Sequence, residues 1–139
     1  MKTIPEELVE ETWQEVAGFP PGRAVVEMER LNKKQPELLS FMMTFTQDMN
    51  RDVSELAIYM LVVVWRIFEK GSKKKLRKIL SKEITKCHES NLEMMEKLEG
   101  AHEKFLERVA KVQLAAQPYV IKYVVDTLME PREDEEDVR

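Results

Sequence analysis

The central segment of the chain, residues 53–70, constrains the fold more than any other part. Read as a helix, it is apolar around most of its circumference, and Glu55, Arg66 and Glu69 form only a narrow charged strip. Its most apolar part, residues 56–68, is shorter than the roughly 18 residues that span a bilayer, and it contains Arg66. A helix of this kind needs other helices around it, so the segment predicts the centre of a helical bundle and no membrane span.

The rest of the chain carries helical periodicity, and Pro and Gly lie where helices would begin or end. Val9, Trp13 and Val16 share one face of a first helix, and Val25, Met28 and Leu31 share the face of a second. A chain of 139 residues allows one domain. The pattern predicts an all-α, single-domain bundle of about six or seven helices over residues 1–130. Residues 131–139 are acidic and lack apolar periodicity, and they predict a disordered tail.

Two segments resemble each other: residues 35–43 read QPELLSFMM, and residues 117–125 read QPYVIKYVV. Proline suits the first turn of a helix and keeps the residue before it out of the helix, so each copy predicts a helix start and a helical hairpin. A bundle with a duplicated Gln-Pro hairpin and a short α-solenoid both fit this repeat. We favour the bundle, because a solenoid usually needs three copies and only two are recognisable.

The clearest charge feature is a basic segment within residues 70–86 of a chain whose net charge is −4. Such a segment predicts binding to nucleic acid or another anion, although it has no aromatic residue for stacking on bases. The alternatives are a solvated helix start and an internal cover provided by the acidic tail. The cations are Lys70, Lys73, Lys74, Lys75, Arg77, Lys78, Lys82 and Lys86.

Asn91 lies in the middle of an apolar stripe that includes Ile84, Cys87 and Met94. A buried amide needs hydrogen-bond partners, and in helical assemblies one such Asn can determine register or partner choice. Asn91 is therefore a candidate for interaction specificity, and the alternative is a hydrogen bond to a neighbouring helix end. Cys87 in the same stripe reads as a small buried hydrophobe.

Metal binding and catalysis have little support. Glu99 and His102 have the Glu-x-x-His spacing of ferritin-like di-iron sites, but a site of that type needs a second such motif and two further Glu. The chain has no Gly-rich phosphate loop and no Gly-x-Ser-x-Gly motif. We therefore predict no enzyme activity, no metal and no cofactor.

The function that the sequence favours is interaction with another protein or with a second copy of the chain as a homodimer. The chain contains one Cys and begins without the apolar run of an export signal, so we expect a cytoplasmic protein. Binding of nucleic acid or an anion through residues 70–86 is the alternative function.

Overall fold

A computed structural model describes residues 2–98 and 116–129, which form six helices and no strand. The predicted all-α bundle is confirmed. The tail predicted at residues 131–139 lies outside the described residues. The helices are α1 (Glu6–Ala17), α2 (Arg23–Lys34), α3 (Pro36–Thr46), α4 (Arg51–Gly71), α5 (Ser81–Leu98) and α6 (Pro118–Met129).

Helix α4 occupies the centre, as its apolar circumference predicts, and contacts α1, α2, α3 and α6. It begins at Arg51 because the side chain of Asn50 accepts a hydrogen bond from the N–H of Asp52 at 2.8 Å, which satisfies a free helix-end donor. Among the described residues, no helix is both long enough and apolar enough to cross a membrane.

Two groups of buried side chains pack on α4. Val63 and Ile67 face the first group, which joins α4 to the N-terminal segment, α1 and α6. Leu61 and Trp65 face the second group, which joins α4 to α2 and α3. Through the first group, the central helix therefore packs against both ends of the described part of the chain.

The inward face of α2 differs from the sequence expectation. Val25 and Met28 are exposed, whereas Glu27 and Leu31 are buried. The reason is electrostatic: the Glu27 carboxylate accepts a hydrogen bond from Arg23 at 3.0 Å and lies 3.4 Å from the guanidinium of Arg66. These ion pairs compensate the burial of the Glu27 carboxylate, so Val25 and Met28 lie on the outer side of α2, whereas Leu31 is buried as expected.

The charged strip on α4 is the other half of this ion-pair network. Arg66 donates to Glu15 of α1 at 2.6 Å, and Arg30 of α2 donates to both carboxylate oxygens of Glu69 at 2.8 and 2.5 Å. Glu15 also accepts from Lys70, and this hydrogen bond is the main reason that the pKa of Glu15 lies below its usual value. Arg66 and Glu69 of the charged strip therefore join α4 to α1 and α2.

Candidate interaction surfaces

Gln35, the first residue of the first Gln-Pro segment, is completely buried and holds a non-helical segment in place. Its amide Nε2 donates to the carbonyl of Arg77 at 2.8 Å, and its Oε1 accepts from the N–H of Ile79 at 2.8 Å. One primary amide thus satisfies both a backbone acceptor and a backbone donor two residues apart, as a neighbouring strand would.

Gln117 makes the same pair of hydrogen bonds in the second Gln-Pro segment. Its Nε2 donates to the carbonyl of Lys2 at 3.1 Å, and its Oε1 accepts from the N–H of Ile4 at 3.0 Å. The segments that the two glutamines hold have the same form, a basic residue, any residue and Ile: Lys2-Thr3-Ile4 and 77–79. Each held segment leads directly into a helix, α1 in one case and α5 in the other.

Each of the two glutamines holds a segment that belongs to the other half of the chain. Gln35 in the first half holds the segment that begins the second half, and Gln117 in the second half holds the segment that begins the first. Accordingly, α3 contacts α5 and α1 contacts α6. The side chain of Ile4 packs so closely on the end of α4 that a Cβ on Gly71 would lie 2.7 Å from it.

A half-open groove lies between α1, α4 and α6 and has a volume of about 390 Å³. Three aromatic side chains line it and remain more than a third exposed: Trp13 at 37%, Tyr59 at 39% and Tyr119 at 37%. Trp13, which shares one face of α1 with Val9 and Val16, lies at the edge of this groove and is less buried than either of them. Burial raises the pKa of the Tyr59 hydroxyl, which stays protonated and able to donate.

A second groove of about 530 Å³ lies on the other side of Tyr59 and Ala17, which line both cavities. Its walls are mainly apolar and come from α1, α2, α4 and the loop after α1. We name the two cavities together the α1–α4 groove. The apolar side chains that line this second part include Phe19, Met28, Ile58 and Val62.

Acidic side chains surround the α1–α4 groove. Its lining includes five carboxylates and one cation, Lys122, which lies 4.0 Å from Glu6. Glu27 and Glu55 also have arginine partners. Within the described part of the chain, Glu10 and Asp126 have no ion-pair partner, so two uncompensated negative charges stand beside the aromatic part of the groove.

The cations of the basic segment fall into two groups, those that form an ion pair with a described residue and those that do not. Lys70 pairs with Glu15, and Arg77 makes two hydrogen bonds of 2.7 Å to Glu83. Residues 73–80, which we name the basic ribbon, form no helix or strand. The other six cations are exposed and form no ion pair with any described residue: Lys73, Lys74, Lys75, Lys78, Lys82 and Lys86.

Asn91 is exposed, so the buried position that the apolar stripe suggested is wrong. Helix α5 contacts α3, with Ile84 buried, but Leu92 and Met95 of α5 are exposed. Cys87 is exposed too, in contrast to the buried position expected for it. A role of Asn91 in partner choice stays a prediction.

Glu99 and His102 lie outside the described residues, and the question of a site there stays open. Elsewhere in the described chain, no three His, Cys, Asp or Glu side chains come together as metal ligands would. His88 instead packs edge-on against Phe41 and Phe45, with ring centroids 5.5 Å apart in both pairs.

Comparisons with protein families, with curated proteins and with solved structures find no match to this chain. The α1–α4 groove was not anticipated from the sequence. The sequence feature that could have indicated the groove is the presence of Trp13 and Tyr119, two aromatic residues of types that tolerate partial exposure. They lie near opposite ends of the chain, and nothing in their spacing indicates that they meet.

Proposed function

We propose that the protein is a non-catalytic interaction module that binds an amphipathic, basic segment of a partner protein in the α1–α4 groove. The observation that carries the proposal is the combination of three half-exposed aromatic side chains with unpaired carboxylates at one concave site. Trp and Tyr are enriched where proteins bind each other, because each offers a large apolar surface and a polar group.

The charge of the groove supports a basic partner. Glu10 and Asp126 lie beside Trp13 and Tyr119, so a Lys or Arg side chain can meet a carboxylate and an aromatic face together. The apolar walls at Phe19 and Ile58 suit the aliphatic or aromatic residues of the same segment. A peptide that alternates basic and apolar residues would match both parts of the groove.

Two described carboxylates have a pKa shift opposite to that of a general acid. Glu15 and Glu83, whose pKa values depart from the usual one, have lowered pKa values because cations hydrogen-bond them, with Lys70 acting on Glu15 and Arg77 on Glu83. A general acid needs the opposite shift, toward a pKa near neutrality.

Three further proposals concern the internal repeat, the cellular location and the oligomeric state. The matching hydrogen bonds of Gln35 and Gln117 support a duplicated Gln-Pro unit within the bundle. The exposed thiol of the lone Cys87 fits a reducing compartment, and we propose the cytoplasm. A homodimer would be an alternative occupant of the groove.

A random peptide library displayed on phage and selected against the full chain tests the proposal. We expect enriched peptides to combine Lys or Arg with large apolar residues. In fluorescence anisotropy, Trp13→Ala and Tyr119→Ala should each weaken binding of a selected peptide about 30-fold, as expected for a 2 kcal/mol aromatic anchor. The double substitution Glu10→Lys with Asp126→Lys should weaken the binding of basic peptides in particular.

Val25→Ala is the matched control, because Val25 is an exposed apolar residue that does not line the groove. Selected peptides without basic residues, or equal affinity for the Trp13 and Val25 variants, would contradict the proposal. Sedimentation equilibrium provides the remaining comparison: a dimer that Trp13→Ala dissociates would assign the groove to a second copy instead.

A further inference from the structure

The basic ribbon is a surface separate from the α1–α4 groove, because no residue of the ribbon lines the groove. Its backbone has a defined position. The Oγ of Ser72 donates to the carbonyl of Lys74 at 2.7 Å at one end, and Gln35 holds Arg77 and Ile79 at the other. Between them, Leu76 packs against the buried group around Trp65.

This anchoring determines which side chains are presented. Leu76 packs against the core and Arg77 is paired with Glu83, so the ribbon cations that form no ion pair with a described residue are lysines. Lys73 and Lys78 are five residues apart, and a fully extended chain of that length spans at most about 17 Å. Four ammonium groups therefore lie within a short, linear stretch.

The first two turns of helix α5 add two more lysines to those of the ribbon. Lys82 and Lys86 are four residues apart in its first two turns, and side chains at that spacing lie about 5–6 Å from each other on one face. Glu83, the acid nearest to them in sequence, is already bound to Arg77 through both oxygens. None of the six lysines forms an ion pair with a described carboxylate.

We propose that these six lysines bind the phosphate backbone of nucleic acid without sequence preference. Each strand of a duplex carries one phosphate per about 3.4 Å of axis, close to the density of the ribbon's lysines. Each ammonium group can bind a phosphate as a point charge, whereas the Arg77 guanidinium, which could bind phosphate through two hydrogen bonds, is already paired with Glu83. Bases would not be read, because residues 70–86 contain no aromatic residue.

Fluorescence anisotropy with a labelled mixed-sequence 20-mer, single-stranded and as a duplex, tests the proposal on the full chain. With six contacts to a single strand, the log–log salt slope should be about −4, so affinity should fall about 300-fold between 50 and 200 mM NaCl. Lys74→Glu with Lys75→Glu should weaken binding and reduce that fall to about 50-fold, because two contacts are lost.

Lys2→Glu with Arg51→Glu is the control, since it changes the net charge equally at two exposed cations that lie outside both the ribbon and the groove. It should leave the salt slope unchanged. Lys74→Gln with Lys75→Gln repeats the test without new acids near Glu83, and circular dichroism verifies that each variant folds. The proposal is overturned if the control weakens binding as much as the ribbon variant, if poly-glutamate competes as well as the oligonucleotide, or if 100 µM protein fails to bind at 50 mM NaCl.

Discussion

The hydrogen bonds of Gln35 lead to a quantitative expectation for stability. Gln35→Leu keeps the side-chain volume roughly constant but removes the amide, so the carbonyl of Arg77 and the N–H of Ile79 each lose a partner at 2.8 Å. A typical hydrogen bond contributes about 1 kcal/mol net, and a buried group left without a partner costs about 1–3 kcal/mol. Because Gln35 is fully buried, we expect a loss of about 2–5 kcal/mol in the free energy of unfolding.

Gln117→Leu is the matched comparison within the same chain. Gln117 makes the same two hydrogen bonds, but they are longer, at 3.0 and 3.1 Å, and Gln117 is only partly buried. Water can replace the amide at the exposed carbonyl of Lys2, so the expected loss is about 1 kcal/mol.

Urea denaturation followed by far-ultraviolet circular dichroism measures both losses at equilibrium. The midpoint should decrease more for the Gln35 variant than for the Gln117 variant, with similar slopes. A Gln35→Leu protein within about 0.5 kcal/mol of the unmodified chain would refute the claim that a buried amide holds residues 77–79. A larger loss for Gln117→Leu would refute the reasoning from burial.

Two other changes have clear expectations. Gly71→Ala should lower stability by about 1 kcal/mol, because crowding of the new Cβ against Ile4 at 2.7 Å outweighs the better helix propensity of Ala; Gly22→Ala, which meets no atom within 4 Å, should be nearly neutral in the same urea titration. Arg77 lowers the pKa of Glu83 from 4.5 to about 2, so the stability from this pair is present above pH 4.5 and is lost as the pH falls toward 2. Glu83→Gln should reduce the fall in unfolding midpoint between pH 6 and pH 2.5, and an unchanged fall would contradict this.

The two proposed surfaces carry opposite charge, and their experiments separate them. Salt should weaken oligonucleotide binding at the ribbon steeply, because that binding is almost wholly electrostatic. Peptide binding in the α1–α4 groove should depend less on salt, because the aromatic residues Trp13 and Tyr119 contribute through apolar contact. Substitutions at Trp13 should leave oligonucleotide binding unchanged, and substitutions at Lys74 should leave peptide binding unchanged.

Local sequence patterns determined the helices and the central position of α4. The apolar circumference of residues 53–70 required a surround of other helices, and the Pro residues at 36 and 118 are the first residues of α3 and α6. These features follow from periodicity and from the backbone restrictions of proline, which act over a few residues and are therefore readable in one chain.

Contacts between distant residues decided the rest. The periodicity of α2 and α5 suggested inward faces with Met28 and Asn91, but pairing of Glu27 with arginines and the limited contact of α5 with α3 turned these residues outward. The Gln-Pro repeat was visible in the sequence, whereas the hydrogen bonds of Gln117 join residues that are 113 and 115 positions apart. A pattern of spacing records which face of a helix is apolar, but which ion pairs and backbone groups meet that face depends on the tertiary packing.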